Sequence, residues 1–400
     1  MPTLPSDAGW DPRPVFWSDD LPTAYGRGPA VVLLDRTRLP GAEARLVCSD
    51  VPALVDAIRR RVVDGGPLLG IAAAYGVALA AARGDDVEAA ADALTRTDLG
   101  RTRDTAEPAP AVGARVHAAY DPTPAHPARE TWRTSALASG ARQAREAWRQ
   151  SAHDPAAPLA AARALHTAVD RTSAALARQG ARLAAELLPD RPLRVLTHGD
   201  TGALTHGGEG TAFAVARALH RAGRLARLHG GAAAALTAYE AERCGLPYAA
   251  LPDPHTVTDP DVAFESLDAL GGIDLVLVGA HRIAADGAVT NTAGTHALAR
   301  RAARAGPRGI PVLVVAPVAA IDPRAPSEAA IVGGIRDAGE VTESSRRALA
   351  TAGDASSDPA FDVTPPALIC AIVTETGVLS PVTTIAIARM SAGHDPVMRR

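Results

Sequence analysis

The pattern of apolar and polar positions differs between the two halves of the 400-residue chain. After Arg191, short apolar runs alternate with helical stretches, and these runs read LRVLTHG, RLARLHG, LPYAALPDP, IDLVLVGAHRI and IPVLVVAPV. Short apolar runs are typical of fully buried strands, and the amphipathic stretches between them indicate crossover helices. The pattern predicts an α/β fold with a Rossmann-like, doubly wound parallel sheet over residues 189–400.

The chain before Arg191 has a different pattern. Residues 30–35 (AVVLLD) predict a strand, and a second strand follows the Pro40-Gly41 turn in RTRLPGAEARLV. Asp50 is placed to cap a helix, VPALVDAIRRRVVDG, which we expect to end at Gly65-Gly66. The next run, PLLGIAAAYGVALAAARG, predicts a tightly packed buried helix.

Two further helices are predicted from Trp132 and from Pro158, and the second should end at Pro189. Between the helical stretches, residues 85–128 are rich in proline and weakly periodic, which predicts a loop or a linker. We therefore expect a mostly helical N-terminal domain with a short β segment over residues 1–188 and the Rossmann-like domain after it.

The predicted sheet indicates where a ligand would bind. In open parallel sheets, ligands lie beyond the carboxyl ends of the strands. The positions that follow the predicted strands are His198–Thr201, His229–Gly231, 253–255, 280–282 and Pro317.

The first candidate is the turn that opens with His198. Gly207, Gly208 and Gly210 precede Thr211 at the start of a helix, where free backbone N–H groups could hold an anion such as a phosphate. The spacing is not the G-x-G-x-x-G of dinucleotide sites, and a helix start tightened by glycine fits the same residues.

The second candidate is VGAHRIAADGAVTNTAGTHALAR. A strand brings His281 and Arg282 to its carboxyl end, and the DGAVTN turn should return Asn291 and Thr292 to the same edge before a helix begins near Gly294. His281 is a candidate general acid or base, although a histidine in such a place also serves as a hydrogen-bonded structural residue.

A set of histidines and a stretch near the C-terminus give two further hypotheses. Six histidines, several of them at strand ends, could converge as metal ligands, but a metal site needs three or four ligands and no pair of these histidines has a short helical spacing; they are His198, His206, His229, His255, His281 and His296. Near the C-terminus, PAFDVTPPALICAIVTETGVLSP predicts a helix that has Pro365 in its first turn and ends at Gly377.

Composition narrows the function. The net charge is −3, so no basic face points to nucleic acid. All 41 basic residues are arginine, which excludes Schiff-base chemistry and a lysine-containing phosphate loop. The first residues lack a secretory pattern, the apolar runs fall short of a membrane span, and the three cysteines are scattered. We expect a cytoplasmic protein with neither membrane nor nucleic-acid partners.

Together these segments resemble the methylthioribose-1-phosphate isomerases and the wider family of ribose-phosphate isomerases and initiation-factor regulatory subunits. The matching stretches are LLDRTRLPG, GIAAAYGVALA, VLTHGDTGALTHGGEGTA, ALTAYE, VLVGAHRIAADGAVTNTAGTHALA and DPAFDVTPPALICAIVTETGV. The resemblance implies a cleft between a helical and a Rossmann-like domain, a homodimer, no cofactor or metal, and conversion of an aldose 1-phosphate to a ketose 1-phosphate by a thiol and a carboxylate.

The matching motifs depart from the family at the residues that carry its chemistry. Where the family reads T-H-C-N, this chain has Gly199 and Asp200, and His281 replaces the carboxylate of V-G-A-D-R. Asp64 replaces an arginine of the phosphate loop. The substrate-binding glutamine corresponds to Ala232, and the lysine of N-K corresponds to Thr292, whereas Arg133 aligns with a family arginine.

These departures predict a divergent sugar-phosphate isomerase-like protein, repurposed for a ribose-derived or nucleoside-like molecule. Two alternatives stay open: a non-catalytic ligand-sensing or assembly subunit, and retained aldose–ketose isomerisation. The candidate catalytic residues are His281, Asp200 and His198. The candidate substrate-binding residues are Gly65, Gly66, Arg133, Thr197, Gly199, Thr201, Gly208, Arg282, Asn291 and Thr292.

Overall fold

The computed structural model of the chain describes residues 13–23, 25–97, 132–231, 234–251, 272–327 and 361–392. Its first element is a three-stranded antiparallel sheet in the order β1-β2-β3, formed by β1 (Val15–Thr23), β2 (Gly26–Leu34) and β3 (Arg45–Cys48). The two predicted strands are confirmed as β2 and β3. Strand β1 escaped prediction because it is an edge strand that contains two aspartates and a proline, which are depleted in strands.

Helices follow this sheet, and those before the main sheet are α1 (Val51–Arg59), α2 (Gly66–Arg83), α3 (Val87–Thr95), α4 (Trp132–Gln150) and α5 (Ala156–Leu187). The predicted cap is confirmed, because the Asp50 side chain accepts from the Ala53 N–H at 2.8 Å. Helix α1 ends earlier than predicted, since Arg61 adopts a left-handed conformation with φ 57°.

Helix α2 is the centre of the first hydrophobic core. Most of its side chains are buried, including Leu68, Ile71 and Leu79. With 18 residues it is long and apolar enough to span a membrane. The expectation that every apolar run is too short for a membrane span is therefore wrong for this helix. Its burial among α3, α4 and α5 identifies it as a core helix.

One prediction in this region is wrong. Residues 85–128 were expected to be a loop, but residues 87–95 form α3, whose Val87, Ala91 and Leu94 pack into the core. Asp86 caps this helix through the Ala89 N–H at 3.0 Å. The run VEAAADALT has helical spacing that the neighbouring proline-rich composition concealed, and residues 98–128 lie outside the described residues.

The main sheet confirms the predicted α/β class. Its seven strands are β4 (Leu193–His198), β5 (Leu225–Gly230), β6 (Tyr248–Ala250), β7 (Leu275–Val278), β10 (Val312–Val315), β13 (Ala371–Thr374) and β14 (Gly377–Leu379). Their order is β14-β13-β10-β7-β4-β5-β6, parallel except for β14. The chain reverses its direction of winding between β4 and β7, which is where such sheets bind ligands.

Helices cover both faces of this sheet. They are α7 (Ala212–Arg221), α8 (Ala234–Arg243), α9 (Thr295–Arg304) and α10 (Thr384–Ala392), whereas the short helix α6 (Ala203–His206) contacts α2. Phe213 of α7 and Leu176 of α5 pack on one face with Val195. Leu298 of α9 packs on the other face with Leu196. The two cores explain why these strands are apolar on both sides.

A second, four-stranded sheet lies beside the first in the order β11-β8-β9-β12, with β8 (Arg282–Ala284), β9 (Val289–Thr292), β11 (Ile321–Asp322) and β12 (Phe361–Thr364). The helix predicted to begin at Pro365 is wrong. A 3-10 turn at Pro366–Leu368 leads directly into β13, because the β-branched run Ile-Val-Thr favours a strand. The division into domains at residue 188 stays a prediction.

Candidate functional site

The turn after β4 meets the N-terminal half of the chain at a half-buried ion pair. Arg36 follows β2, and its Nη2 donates to Asp200 Oδ2 at 2.9 Å. The two side chains are 17% and 24% exposed. Burial lowers the pKa of Arg36, but the carboxylates of Asp200, Asp64 and Glu240 outweigh it and raise the pKa overall. Arg36 therefore stays charged in a strongly acidic surrounding.

The segment before α2 lies against the same turn. Asp64 is buried, and its Oδ1 accepts from the Gly65 N–H at 2.9 Å. Gly65 has φ 112°, and a Cβ at this position would collide with the Thr205 carbonyl of α6. Only glycine allows this close approach. Gly65 is thus packed against α6, the helix that follows the Asp200 turn, and the binding roles of Gly65 and Gly66 stay predictions.

Gly199, which the resemblance places where the family has its thiol, is closely packed against a neighbour. Gly199 has φ 83°, and an added Cβ would lie 2.6 Å from Thr292 Oγ1. Thr292 stands where the family has its lysine. Two departures from the family pattern are therefore in contact, and the hydroxyl of one occupies the place of a side chain on the other.

His198 has a fixed ring. It is fully buried, and its Nε2 lies 2.8 Å from the Ala293 carbonyl, to which a protonated Nε2 donates. The backbone of Gly231 and Gly294 flanks the ring so closely that a Cβ would lie 2.6 Å from Nδ1 at Gly231 and 3.1 Å from Nε2 at Gly294. The ring links the end of β4 to the start of α9. This arrangement suits a positioning role better than proton transfer.

The remaining strand-end residues have other partners. The His281 ring packs edge to face on Phe361 with centroids 4.4 Å apart, and its backbone N–H donates to Thr290 O at 2.9 Å. Arg282 Nε lies 3.7 Å from Asp322 Oδ2. His281 is half-buried and near the Thr292 strand, whereas Arg282 is directed to β11.

Asn291 is buried and lies directly opposite Asp362 in the β9–β12 pair. Asp362 Oδ2 accepts from the N–H groups of Gly294 and His296 at 2.8 and 3.0 Å, so it caps the start of α9. The sequence does not indicate this cap, because it places residues 362–364 before a predicted helix that has Pro365 in its first turn. Asp362 fixes the segment that carries Thr292 and Ala293.

The glycine-rich turn before α7 is held from α5. Ser173 Oγ donates to Gly210 O at 2.7 Å and accepts from the Glu209 N–H at 2.9 Å. Gly208 lies against Ser173, since a Cβ there would be 2.8 Å from the Ser173 Cβ. These contacts fit the reading of the turn as a tight helix start.

Two threonines at the end of β4 are hydrogen-bonded to each other, and one of them also contacts the start of α7. Thr197 Oγ1 and Thr201 Oγ1 are 3.3 Å apart, and Thr201 O accepts from the Thr211 N–H at 2.8 Å. Arg133 lies in α4, but its side chain and Ala232 are outside the described residues. Within the described ranges, no three histidine, cysteine or acidic side chains are placed to hold a metal ion.

Sequence reasoning missed two charged residues of the site, Arg36 and Glu240. Both lie in stretches that match the family, LLDRTRLPG and ALTAYE, and neither was assigned a role. The available signal for Glu240 was a carboxylate next to the apolar positions of an amphipathic helix. The signal for Arg36 was absent, because its partner is 164 residues away.

Comparison with known proteins agrees with this architecture. Residues 253–381 match the Initiation factor 2 subunit family. A methylthioribose-1-phosphate isomerase of Pelotomaculum thermopropionicum is 35% identical, covering 87% of this chain and 88% of that protein. The enzyme of that name from Anaeromyxobacter sp. strain K is 37% identical, covering 92% and 94%.

Two solved structures share the fold. The 5-methylthioribose 1-phosphate isomerase of Pyrococcus horikoshii has a TM-score of 0.75 at 24% identity, covering 96% of this chain and 97% of that one. The initiation factor eIF-2B subunit delta of A. fulgidus has a TM-score of 0.72 at 25% identity, covering 95% and 99%. From its similarity to curated relatives over most of its length, the chain belongs to the methylthioribose-1-phosphate isomerase family.

Proposed function

We propose that this chain is an isomerase-like enzyme that acts on a ribose-derived or nucleoside-like small molecule through acid–base chemistry by Asp200 and His281. The observation that carries the proposal is the Arg36–Asp200 pair at the end of β4, where the family has its T-H-C-N turn. Family membership supports a sugar substrate, and the replaced residues support a changed mechanism.

Aldose–ketose isomerisation moves a proton from C2 to C1 of an open-chain sugar. A base removes the C2 proton, an enediol forms as the carbonyl oxygen O1 gains a proton, and C1 is then protonated while O2 loses its proton. Asp200 can accept the first proton as a carboxylate, because Arg36 at 2.9 Å stabilises its negative charge. His281 can serve the oxygens, since a histidine both donates and accepts protons near neutral pH. His198 positions the turn.

The charges around Arg36 favour a ligand that is less anionic than a sugar phosphate. One guanidinium faces the carboxyl groups of Asp64, Asp200 and Glu240. A phosphate dianion would be repelled by the surplus negative charge. A neutral sugar or nucleoside derivative meets no such repulsion, and its hydroxyls can donate to the carboxylates.

The test is a turnover screen by NMR with ribose, methylthioribose, a nucleoside and the 1-phosphates of the two sugars. We expect conversion of ribose or methylthioribose, which open to a free aldehyde, to be faster than that of either phosphate or of the nucleoside, and Asp200→Asn and His281→Ala to lower it at least about 100-fold. Asp20→Asn is the matched control, because Asp20 lies in β1 and forms an exposed ion pair with Arg27.

Three outcomes contradict the proposal. Equal turnover by Asp200→Asn and Asp20→Asn would remove Asp200 from the chemistry. Preferred turnover of methylthioribose 1-phosphate would indicate retained family activity. A ligand that raises the melting temperature but is never consumed would indicate a non-catalytic binding subunit.

A further inference from the structure

A carboxyl group lies beneath the turn that carries Asp200. Glu240 is on α8 and is 3% exposed, although acidic side chains are almost never fully buried without partners. Its Oε1 accepts from the Leu204 N–H at 3.1 Å. Leu204 belongs to α6, which begins directly after the turn. The carboxyl group therefore satisfies a backbone donor that the start of α6 would otherwise leave buried.

The backbone of the turn is shaped around this carboxyl group. A Cβ on Gly202 would collide with both carboxylate oxygens of Glu240. Gly202 has φ −94°, which any residue can adopt, so the requirement for glycine at this position is one of space. Glu240 and Gly202 are thus a matched pair in which the missing side chain admits the carboxylate.

Helix α8 is itself anchored to the Arg36 segment. Glu43 forms an ion pair with Arg243 and accepts from the Tyr239 hydroxyl at 2.6 Å. Leu34, Leu204 and Tyr239 form a small shared core. The element that carries Glu240 is therefore packed against the elements that carry Arg36 and Asp200.

We infer that Glu240 is a positioning residue of this site: it holds the turn after β4 through the Leu204 N–H and couples electrostatically to the Arg36–Asp200 pair. Its relevance to catalysis rests on the proposed function, whereas the coupling itself does not. The charges of Arg36 and Asp200 act on Glu240, and the charge of Asp64 acts on Arg36. Glu240 in turn raises the pKa of the Cys244 thiol.

The coupling makes the site sensitive to pH. Burial raises the pKa of Glu240 to about 7, and Asp200 adds to this, whereas the Leu204 and Ala203 N–H groups and Arg36 oppose it. As the pH rises through 7, Glu240 gains a negative charge next to Asp200. The interaction is mutual, because the charge of Asp200 is one cause of the raised pKa of Glu240.

The first test follows the carboxyl ¹³C resonance of Asp200 against pH, with the signal assigned by its loss in Asp200→Asn. We expect an inflection near pH 7 that disappears in Glu240→Gln and persists in Glu242→Gln, an exposed glutamate on the same helix. Identical Asp200 profiles in these two folded variants would overturn the coupling. Neither result depends on turnover, so it is independent of whether the proposed function holds.

The second test concerns positioning. Gly202→Ala should lower the melting temperature in the wild-type background, and its effect should be at least halved in the Glu240→Ala background, where the carboxylate is gone. If Gly202→Ala lowers the melting temperature equally in both backgrounds, Glu240 does not shape the turn. A Gly202→Ala protein that fails to fold alone but folds with Glu240→Ala supports the inference.

Discussion

At the scale of single residues, the positions to which the resemblance assigns catalysis are held by specific contacts. Asp200 is paired with Arg36 at 2.9 Å, and Gly199 leaves room for the Thr292 hydroxyl. The positions of these residues at a strand end were predictable from the hydrophobic pattern. Their partners were not, because the pattern carries no information on which distant segments meet.

The Arg36–Asp200 pair gives a prediction of stability. In a double-mutant cycle with Arg36→Met and Asp200→Asn, we expect a coupling energy of about 1–2 kcal/mol, between the values typical of exposed and buried pairs. Urea unfolding measures it. The exposed pair of Arg27 and Asp20 is the control and should show a smaller coupling; equal couplings would contradict the assignment.

Glu240 gives a prediction of pH dependence. Its pKa is raised from 4.5 to about 7, so the folded state binds more protons than the unfolded state at pH values between these two. Its contribution to stability is therefore full below pH 4.5 and is lost as the pH rises through 7. We expect Glu240→Gln to flatten this decline.

The measurement is the unfolding free energy of Glu240→Gln minus that of Glu242→Gln at several pH values between 4.5 and 8. Burial lowers the pKa of His206 to about 4, so the contribution of His206 to stability changes with pH in the opposite direction. Taking the difference between the two variants cancels this contribution. The difference should grow in favour of Glu240→Gln as the pH rises, and parallel curves would count against it.

At the scale of elements, periodicity predicted most strands and helices correctly. Strands β4, β5, β7 and β10 were predictable because each is a short apolar run bounded by turn residues. The errors arose where two local signals conflicted. Proline-rich composition hid α3, and a proline that favours a helix start preceded the β-branched run of β13.

The contact between the α2 start and α6 gives a prediction at this scale. Gly65→Ala should lower the unfolding free energy by about 2 kcal/mol or more, because φ 112° and the Thr205 carbonyl both exclude a Cβ. Gly28→Ala, where a Cβ meets no neighbour, should change it by less than about 0.5 kcal/mol. Similar effects in thermal unfolding would show that the two segments do not touch.

At the scale of the whole molecule, the N-terminal segments and the main sheet meet where the sheet reverses its winding. The resemblance predicted both the fold and this meeting place, and the fold is confirmed by the sheet order. The ligand was not predictable, because the charges around the proposed site come from four separate places, namely the segments after β2, before α2 and after β4 and the helix α8, and no single segment displays their balance. The homodimer and the cytoplasmic location stay predictions.

This balance of charges can be changed by one residue. Asp64→Asn keeps an acceptor for the Gly65 N–H but removes a negative charge beside Arg36. We expect it to tighten binding of ribose 1-phosphate about five-fold by calorimetry, with ribose unaffected. Tightening of both ligands, or of neither, would argue against electrostatic exclusion of phosphate.

Hydrogen exchange in D₂O tests directly whether Asp200 transfers a proton at this site. A base that removes the C2 proton of an open-chain sugar replaces it with deuterium, which ¹H NMR detects even without net conversion. We expect enzyme-dependent loss of the C2 proton signal of ribose or methylthioribose, slowed at least about 100-fold in Asp200→Asn and unchanged in Asp20→Asn. Equal exchange rates in the wild type and Asp200→Asn would contradict this role of Asp200.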